Sequence, residues 1–257
     1  MILKPGENIG QNSETPENTE GFLVDSVIED NNFLPETEED KKKNEENRAS
    51  FEARLEGLSR DEKWDVMRGY NLGKEAHRTQ KRDSGERYFE HLRSVALILI
   101  DECQIKDPNL TIACLLHDSI EDSPIFGNSN LAYSAWKEES DYHLSKTFNK
   151  KVSELVIGLT KPKVDGVEIK NKKEAHDAYI NNLLQGSPDT ILLKMCDRLH
   201  NLRSLKNNTP EKRLKTIKET KEVYLPIFQE ALLAYPNAGA SLLEKINKEI
   251  EAVEQMD

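Results

Sequence analysis

Apolar residues recur at the three- and four-residue spacing of a helix over most of the chain from Phe51 onward. Between residues 86 and 103, one helical face would carry Phe89, Leu92, Val95, Ala96, Leu99 and Ile100. This period is typical of an amphipathic helix, whereas a half-buried strand would alternate apolar and polar residues. No convincing strand alternation and no internal repeat occur, so the pattern predicts an all-α protein, a helical bundle.

Capping residues mark where the predicted helices begin. Two capping boxes and three cap-plus-proline pairs occur, at Ser59/Glu62, Ser241/Glu244, Asp107-Pro108, Ser187-Pro188 and Thr209-Pro210. Together with the apolar periodicity they predict helices over about 60–80, 86–103, 108–122, 145–159, 172–185, 188–205, 210–235 and from 241 onward. Residues 128–143 are predicted to be an irregular inserted excursion, and residues 161–170 a loop.

Composition divides the chain into two regions. Residues 1–47 are rich in Glu, Asn, Asp and Pro and lack sustained periodicity, which predicts a flexible, disordered acidic tail. Residues 48–257 are predicted to form one helical domain. We also expect the chain to have no room for a second catalytic domain.

Charge and hydropathy exclude several classes of protein. The formal net charge of −11 disfavours non-specific nucleic-acid binding, which requires a positive surface. No apolar run approaches the ~18–20 residues of a membrane span, and the N-terminus lacks a signal-peptide core. The three cysteines lie in apolar helical contexts without a CxxC spacing, which favours reduced buried thiols and a cytoplasmic protein. Nothing in the sequence specifies an oligomeric state.

The stretch TIACLLHDSIED, residues 111–122, carries the most informative polar cluster. His117 and Asp118 follow two leucines that must be buried, and Glu121 and Asp122 come one turn later. In a continuous helix Glu121 would lie over His117 and Asp122 over Asp118. Unpaired carboxylates beside a core are costly, and a divalent cation is the simplest compensation.

Two other predicted helices carry polar residues among core positions. Asp197, Asn201 and Ser204 form one stripe, and His91 follows Tyr88 by three residues. Taken singly, Asp197 is better explained by a surface pair with a neighbouring arginine and His91 by packing in the core. Taken together, His91, His117, Asp118 and Asp197 would make a partial coordination shell for Mn²⁺, Fe²⁺ or Mg²⁺.

The order H…HD…D resembles that of the HD metallophosphohydrolases, and the flanking sequences resemble the RelA/SpoT-type (p)ppGpp hydrolase domain. The similar blocks are AHRTQKRDSGERYFEH (76–91), LLHDSIEDS (115–123), FNKKVSELVIGLTK (148–161) and ILLKMCDRLHNLRSL (191–205). They occur in the family's order and span roughly residues 73–205. The resemblance implies a stand-alone small alarmone hydrolase that releases pyrophosphate from the 3′ position of (p)ppGpp.

The resemblance also implies a role for individual residues. It implies that His91, His117, Asp118 and Asp197 hold a divalent metal, most typically Mn²⁺, and that Glu121 and Asp122 activate water and handle protons. It implies that the guanine nucleotide is held by Arg82, Ser84, Asn201 and Ser204, with a phosphate role for Lys161. His77 and His200 are expected to support neighbouring residues and not to bind the metal.

Departures from the family pattern leave alternatives open. The entrance to the substrate site would be altered by Asp83, Arg87 and the 128–143 excursion. An HD phosphohydrolase acting on another nucleotide or phosphoester is therefore one alternative. A non-catalytic alarmone or nucleotide binder is another, and the complete set of candidate ligands with Glu121 and Asp122 argues against it. Asp197→Ala is expected to abolish turnover with nearly unchanged helical content.

Overall fold

The described part of the chain, residues 37–128, 130–131, 133–162 and 172–256 of the computed structural model, is helical. Among these residues the β-structure is limited to one bridge between Lys81 and Arg87. The predicted all-α class is therefore confirmed. The α-helices are α1 Glu38–Ala53, α2 Arg60–Ala76, α3 Tyr88–Leu97, α4 Pro108–Leu116, α5 Ser119–Asp122, α6 Tyr133–Thr147, α7 Lys150–Leu159, α8 Lys172–Leu184, α9 Pro188–Arg203, α10 Pro210–Glu219, α11 Leu225–Ala234 and α12 Pro236–Glu254.

Most of the predicted capping signals are confirmed. The Ser59 hydroxyl accepts the Glu62 N–H at 3.3 Å, and the Glu62 carboxylate accepts the Ser59 N–H at 2.8 Å. Helices α4, α9 and α10 each begin at a proline, and the preceding side chain accepts an amide of the first turn. These caps depend only on neighbouring residues, which is why the sequence alone locates them.

Two other predictions are wrong. Ser241 caps no helix, because α12 already begins at Pro236 and continues through it. Much of the predicted irregular excursion is helix α6, which buries Trp136 and Leu144 and packs against α7. The contact with α7 includes a hydrogen bond of 2.6 Å from the Ser153 hydroxyl to the Asp141 carboxylate. Tertiary packing therefore stabilises a helix whose own apolar pattern is weak.

Some predicted helices differ in extent. Helix α2 ends at Ala76 and not near residue 80, and α3 continues as a π-helical turn, Ile98–Glu102. A second π-helical turn, Thr220–Tyr224, joins α10 to α11 within the helix predicted over 210–235. The helix predicted over 108–122 is interrupted at residues 117–118, between α4 and α5. In the predicted loop at 161–170, residues 163–170 lie outside the described residues.

Helix α1 runs across the predicted boundary between tail and domain. It begins at Glu38, within the stretch predicted as tail, and Thr37 and Asp40 form a capping box at its start. Phe51 is fully buried against the rest of the domain, and the Asn47 amide donates to Glu90 at 3.2 Å. The prediction of a flexible tail for residues 1–36 concerns residues outside the described part.

Helix α9 lies at the centre of the domain and packs against α3, α4, α7, α11 and α12. Helices α2 and α4 approach each other closely at Gly73, where a Cβ would lie 2.3 Å from the main-chain oxygen of Leu115. Glycine is therefore required at this crossing. The crossing fixes the end of α4, from which His117 follows. No described helix is both long and apolar enough to cross a bilayer.

Candidate active site

Four side chains from three regions of the chain meet at one buried point. His91 comes from α3, His117 and Asp118 from the interruption between α4 and α5, and Asp197 from α9. His91 Nε2 lies 3.3 Å from Asp197 Oδ1, and His117 Nε2 lies 3.1 Å from Asp118 Oδ2. The two crossed distances, His91 Nε2 to Asp118 Oδ2 and His117 Nε2 to Asp197 Oδ1, are both 3.8 Å. The structure thus brings together the four residues predicted to bind a metal.

The regular helix is interrupted at the two consecutive residues that share this point. Side chains of neighbouring residues on a continuous α-helix project about 100° apart. His117 has φ −60° and ψ −28°, Asp118 has φ −99° and ψ −4°, and neither residue lies within α4 or α5. The prediction of one continuous helix through these residues is wrong, although the Asp122 N–H still donates to the Asp118 carbonyl at 3.1 Å.

The nitrogen of His117 that faces the two carboxylates is buried and makes no hydrogen bond. The other ring nitrogen, Nδ1, donates to the Cys114 carbonyl at 2.9 Å, so Nε2 is the atom available to a ligand. Burial opposes the charged ring, but the nearby Asp118 and Asp197 carboxylates raise the pKa of His117 to about 9. A cation bound at Nε2 would balance the same two carboxylates.

The donor set fits a divalent cation. His91, His117 and Asp118 each offer one ligand atom within 4.8 Å of the others, and Asp197 Oδ1 faces the same point. Two imidazoles and two carboxylates suit Mn²⁺, Fe²⁺ or Mg²⁺ better than a structural zinc ion, which favours cysteine. Within the described residues the cluster contains no thiolate that would select a softer metal.

Hydrogen bonds from neighbouring side chains hold both carboxylates in place. The Tyr88 hydroxyl donates to Asp118 Oδ2 at 2.8 Å. The Asn201 amide donates to Asp197 Oδ1 at 2.6 Å, and the Lys194 ammonium donates to Oδ2 at 2.8 Å. Although burial opposes ionisation, the Lys194 ammonium holds the pKa of Asp197 well below its usual range. Asp197 is therefore ionised and oriented before any cation binds.

Lys194 is the site residue that the sequence analysis missed. Its ammonium lies 5.2 Å from the centroid of the Tyr179 ring and 5.6 Å from that of Tyr224. The sequence did contain a signal, because a lysine three residues before Asp197 in an otherwise apolar helix can reach the same face. The predicted surface pairing of Asp197 with a neighbouring arginine does not occur, since Arg198 contacts Glu219 and Arg203 contacts Glu102.

Glu121 and Asp122 lie one turn after the metal-binding candidates. Glu121 accepts the Lys161 N–H at 2.6 Å, and its carboxylate lies 3.5 Å from the Lys161 ammonium. Partial burial, with the neighbouring Asp118 and Glu121 carboxylates, raises the pKa of Asp122 to about 6. A carboxyl group with this pKa can both accept and donate a proton near neutral pH. Lys161, predicted to contact phosphate, is thus placed beside the predicted catalytic pair.

The residues predicted to bind a nucleotide lie on the other side of Tyr88. The Arg82 guanidinium donates to Asn201 Oδ1 at 2.7 Å and to the Ser204 hydroxyl at 3.5 Å. Arg82, Ser84, Tyr88 and Ser204 line a pocket of ≈ 200 Å³. Lys212 also lines it and forms an ion pair with Asp83, the residue that departs from the family pattern. Tyr88 contacts both regions, so the pocket adjoins the cation site.

The two supporting histidines have different surroundings. His77 stacks on the Tyr88 ring, and its Nδ1 contacts the Gln80 side chain at 2.7 Å, so it supports the segment before Arg82 as expected. His200 was expected to support the face of α9 that carries Asp197. Its contacts go instead to His91 and Arg82. Burial, with the nearby His91 and Arg82, lowers the pKa of His200 to about 3, so its ring is neutral.

These features define an all-helical protein with a buried histidine–aspartate site for a divalent cation. The family model described as HD domain matches residues 70–231. The match covers more than half of the chain, and the chain belongs to the HD-domain family. The family and the cluster together indicate dependence on a divalent metal.

Two proteins of known name are similar to this chain. The chain is 33% identical over 165 residues to the bifunctional (p)ppGpp synthase/hydrolase SpoT of Escherichia coli. It is 37% identical over 165 residues to the guanosine-3′,5′-bis(diphosphate) 3′-pyrophosphohydrolase of Aquifex aeolicus. Each match covers 63% of this chain but 21% of the relative, so the chain spans about a fifth of the length of these relatives.

A solved structure also resembles this chain. It belongs to a metazoan ortholog of SpoT, which is described as hydrolysing ppGpp and acting in starvation responses. The TM-score is 0.54 at 25% sequence identity, and the similarity covers 73% of this chain and 94% of that one. The resemblance to the (p)ppGpp hydrolase domain is thereby confirmed.

Proposed function

We propose that this protein is a metal-dependent hydrolase that removes the 3′-pyrophosphate of ppGpp or pppGpp, yielding GDP or GTP and pyrophosphate. The observation that carries the proposal is the meeting of His91, His117, Asp118 and Asp197 at one point beside the Arg82 pocket. The relatives named for this activity support the choice of substrate. Mn²⁺ is the proposed metal, because a mixed imidazole and carboxylate shell suits it.

The proposed site separates the metal from the base of the nucleotide. A divalent cation held by the two histidines and two aspartates would lower the pKa of a nearby water and offset charge on the phosphate. Arg82, fixed by Asn201 and Ser204, presents a guanidinium plane on which guanine can stack. Tyr88, between the two regions, would lie beside the 3′ substituent. The nucleotide would thus span from the pocket to the metal ligands.

Proton transfer is assigned to the acidic pair of α5. Glu121 is held by the Lys161 amide, which fixes its carboxylate for orienting a water molecule. Asp122, whose pKa is raised to about 6, would accept the proton of the attacking water. As the water oxygen bonds to phosphorus, the bond from phosphorus to the 3′ oxygen breaks, and that oxygen takes up the proton that Asp122 accepted. The Lys161 ammonium, 3.5 Å from Glu121, would stabilise the departing pyrophosphate.

Incubation of metal-free protein with ppGpp, with and without Mn²⁺, tests the proposal. We expect pyrophosphate and GDP in equal amounts only when Mn²⁺ is present, and no pyrophosphate from Asp197→Asn. Asp177→Asn, an exposed acid on α8, is the matched control and should remain active. Absence of pyrophosphate from the parent protein would contradict the proposal.

A panel of nucleotides separates the alternatives. The Asp83–Lys212 ion pair at the pocket is the observation that favours another nucleotide or phosphoester as substrate. Orthophosphate release from a different nucleotide, with ppGpp inert, would support that alternative. Calorimetric binding of ppGpp without turnover, unaffected by Glu121→Ala and Asp122→Ala, would instead indicate a nucleotide binder without catalytic activity.

A further inference from the structure

One imidazole connects the cation site to the nucleotide pocket. His200, on α9, lies between His91 and Arg82. Its Nδ1 is 2.8 Å from His91 Nδ1 and 3.4 Å from Arg82 Nη1. The two imidazole rings lie 4.8 Å apart at 47° to each other. These contacts join residues separated by 109 and 118 positions in the sequence.

The chemistry of the three groups fixes where the protons lie. A guanidinium can only donate hydrogen bonds, so the Nδ1 of His200 must carry a lone pair to accept from Arg82. His91 Nδ1 faces the same lone pair and must therefore carry the hydrogen. In a neutral imidazole the other nitrogen is then unprotonated. His91 Nε2, 3.3 Å from Asp197 Oδ1, consequently presents a lone pair to the cation site.

We propose that His200 is a positioning residue that sets the tautomer of His91 and makes cation binding depend on Arg82. Arg82 donates to His200 Nδ1, which therefore carries no hydrogen. His200 Nδ1 also accepts from His91 Nδ1, so the hydrogen of His91 lies on Nδ1 and its Nε2 stays free for the metal. If His200 took the opposite tautomer, His91 would carry its hydrogen on Nε2 and could not ligate. The proposal rests on the metal site of the proposed function, and its cation-binding part is independent of which nucleotide is hydrolysed.

Mn²⁺ titration of the metal-free protein, without nucleotide, tests the first link. Loss of the group that orients a ligating histidine typically costs about 10- to 100-fold in metal affinity. We expect His200→Leu to weaken Mn²⁺ binding at least tenfold. His200→Asn should stay within about threefold of the parent, because its amide oxygen can accept where Nδ1 does. His200→Gln, whose oxygen lies one bond further out, should resemble His200→Leu.

The three variants separate orientation from packing. Circular dichroism and thermal unfolding of the metal-free proteins establish that each variant is folded. Should His200→Leu fail to fold, the comparison of His200→Asn with His200→Gln, both polar, replaces it. Equal Mn²⁺ affinity in the asparagine and glutamine variants would overturn the proposal. So would an unchanged affinity in a folded His200→Leu protein.

A double-mutant cycle tests the second link. Arg82→Met should weaken Mn²⁺ binding severalfold in the parent, because His200 is no longer held in one tautomer. Asparagine at position 200 has no tautomers. In the His200→Asn background, Arg82→Met should therefore weaken Mn²⁺ binding less than it does in the parent, or should strengthen it. The difference between the two backgrounds measures coupling through His200 and removes long-range charge effects common to both. Identical effects of Arg82→Met in both backgrounds would overturn the link.

The readout distinguishes this inference from the proposed function. A protein inactive on ppGpp that still shows the expected order of Mn²⁺ affinities would contradict the proposed substrate alone. A protein that is active on ppGpp, but whose Mn²⁺ affinity does not change when His200 is substituted, would contradict the inference alone.

Discussion

The crossing of α2 and α4 at Gly73 makes the cation site sensitive to a single methyl group. A Cβ at this position would lie 2.3 Å from the main-chain oxygen of Leu115, two residues before His117. Close carbon–oxygen contacts in proteins are about 3.3 Å or longer. The Gly73→Ala change therefore requires the backbones to separate by about 1 Å, because a helical main chain cannot rotate out of the way as a side chain does.

The expected cost follows from two opposing effects. Overpacking a well-packed interior costs about 1–3 kcal/mol. Alanine in place of glycine within a helix returns about 1 kcal/mol. We expect a net loss of up to about 2 kcal/mol in the free energy of unfolding. The displacement is passed on to His117, and a shift of about 1 Å exceeds the tolerance of about 0.5 Å for a preorganised site. Mn²⁺ affinity should therefore fall by about tenfold or more.

Gly69→Ala is the matched control, one turn earlier on the same helix. A Cβ there would meet a side-chain methyl of Ile112 at 3.2 Å, and this methyl can move by a few tenths of an ångström. The alanine should leave Mn²⁺ affinity unchanged and leave stability equal or slightly higher. Urea unfolding in the presence of a chelator and Mn²⁺ calorimetry measure both quantities. A Gly73→Ala protein with the stability and Mn²⁺ affinity of the parent would refute the reasoning.

Three further predictions concern the charges around the site and the metal. Lys194→Met leaves Asp197 buried without its ammonium partner, so urea unfolding of the metal-free protein should show a loss of about 3 kcal/mol, and equal stability would contradict it. Hydrogen bonds from Arg203, then Lys245, lower the pKa of Glu102 below its ordinary 4.5, so the stability it contributes is present above that pH and lost as the pH falls further. Glu102→Gln should therefore unfold more easily than the parent at pH 7, with the difference shrinking below about pH 4.5 in thermal scans. A chelator should abolish pyrophosphate release, and Mn²⁺ should restore it; activity that survives chelation would exclude a metal role.

The structure changes one prediction made from the sequence. Asp197→Ala was expected to leave the fold nearly unaltered, because the polar site contributes little to the core. The ion pair with Lys194 adds a cost, since removing Asp197 leaves a largely buried ammonium without its partner. Asp197→Asn, which keeps the shape of the side chain, is therefore the better test of turnover.

The elements that the sequence predicted well are those governed by neighbouring residues. The starts of α2, α4, α9 and α10 follow from a capping side chain three residues before the amide that it accepts. Helix α6 could not be predicted in this way, because its stability comes from its packing against α7 and from the burial of Trp136 and Leu144. The apparent capping box at Ser241 fits the local pattern, yet Pro236 begins the helix five residues earlier.

The candidate site shows the same division between local and long-range information. The resemblance of four sequence blocks to a known family picked out the residues that meet at the cation site and the Arg82 pocket, because such blocks can be recognised without a structure. The orientation of Asp197 by Lys194, of Asp118 by Tyr88 and of His91 by His200 was not predicted. Hydrogen bonds such as these require atoms placed to within a few tenths of an ångström, and residue order carries no such information.

By itself the sequence determined a helical protein, most of its helix starts and the side chains able to hold a divalent cation. Only the tertiary structure decided that the regular helix is interrupted at His117 and Asp118 and that both side chains face one point. It also decided which nitrogen of each histidine faces the metal. The physical reason is that capping and periodicity act within a few residues, whereas a coordination shell and its protons depend on the packing of α3, α4 and α9 against one another.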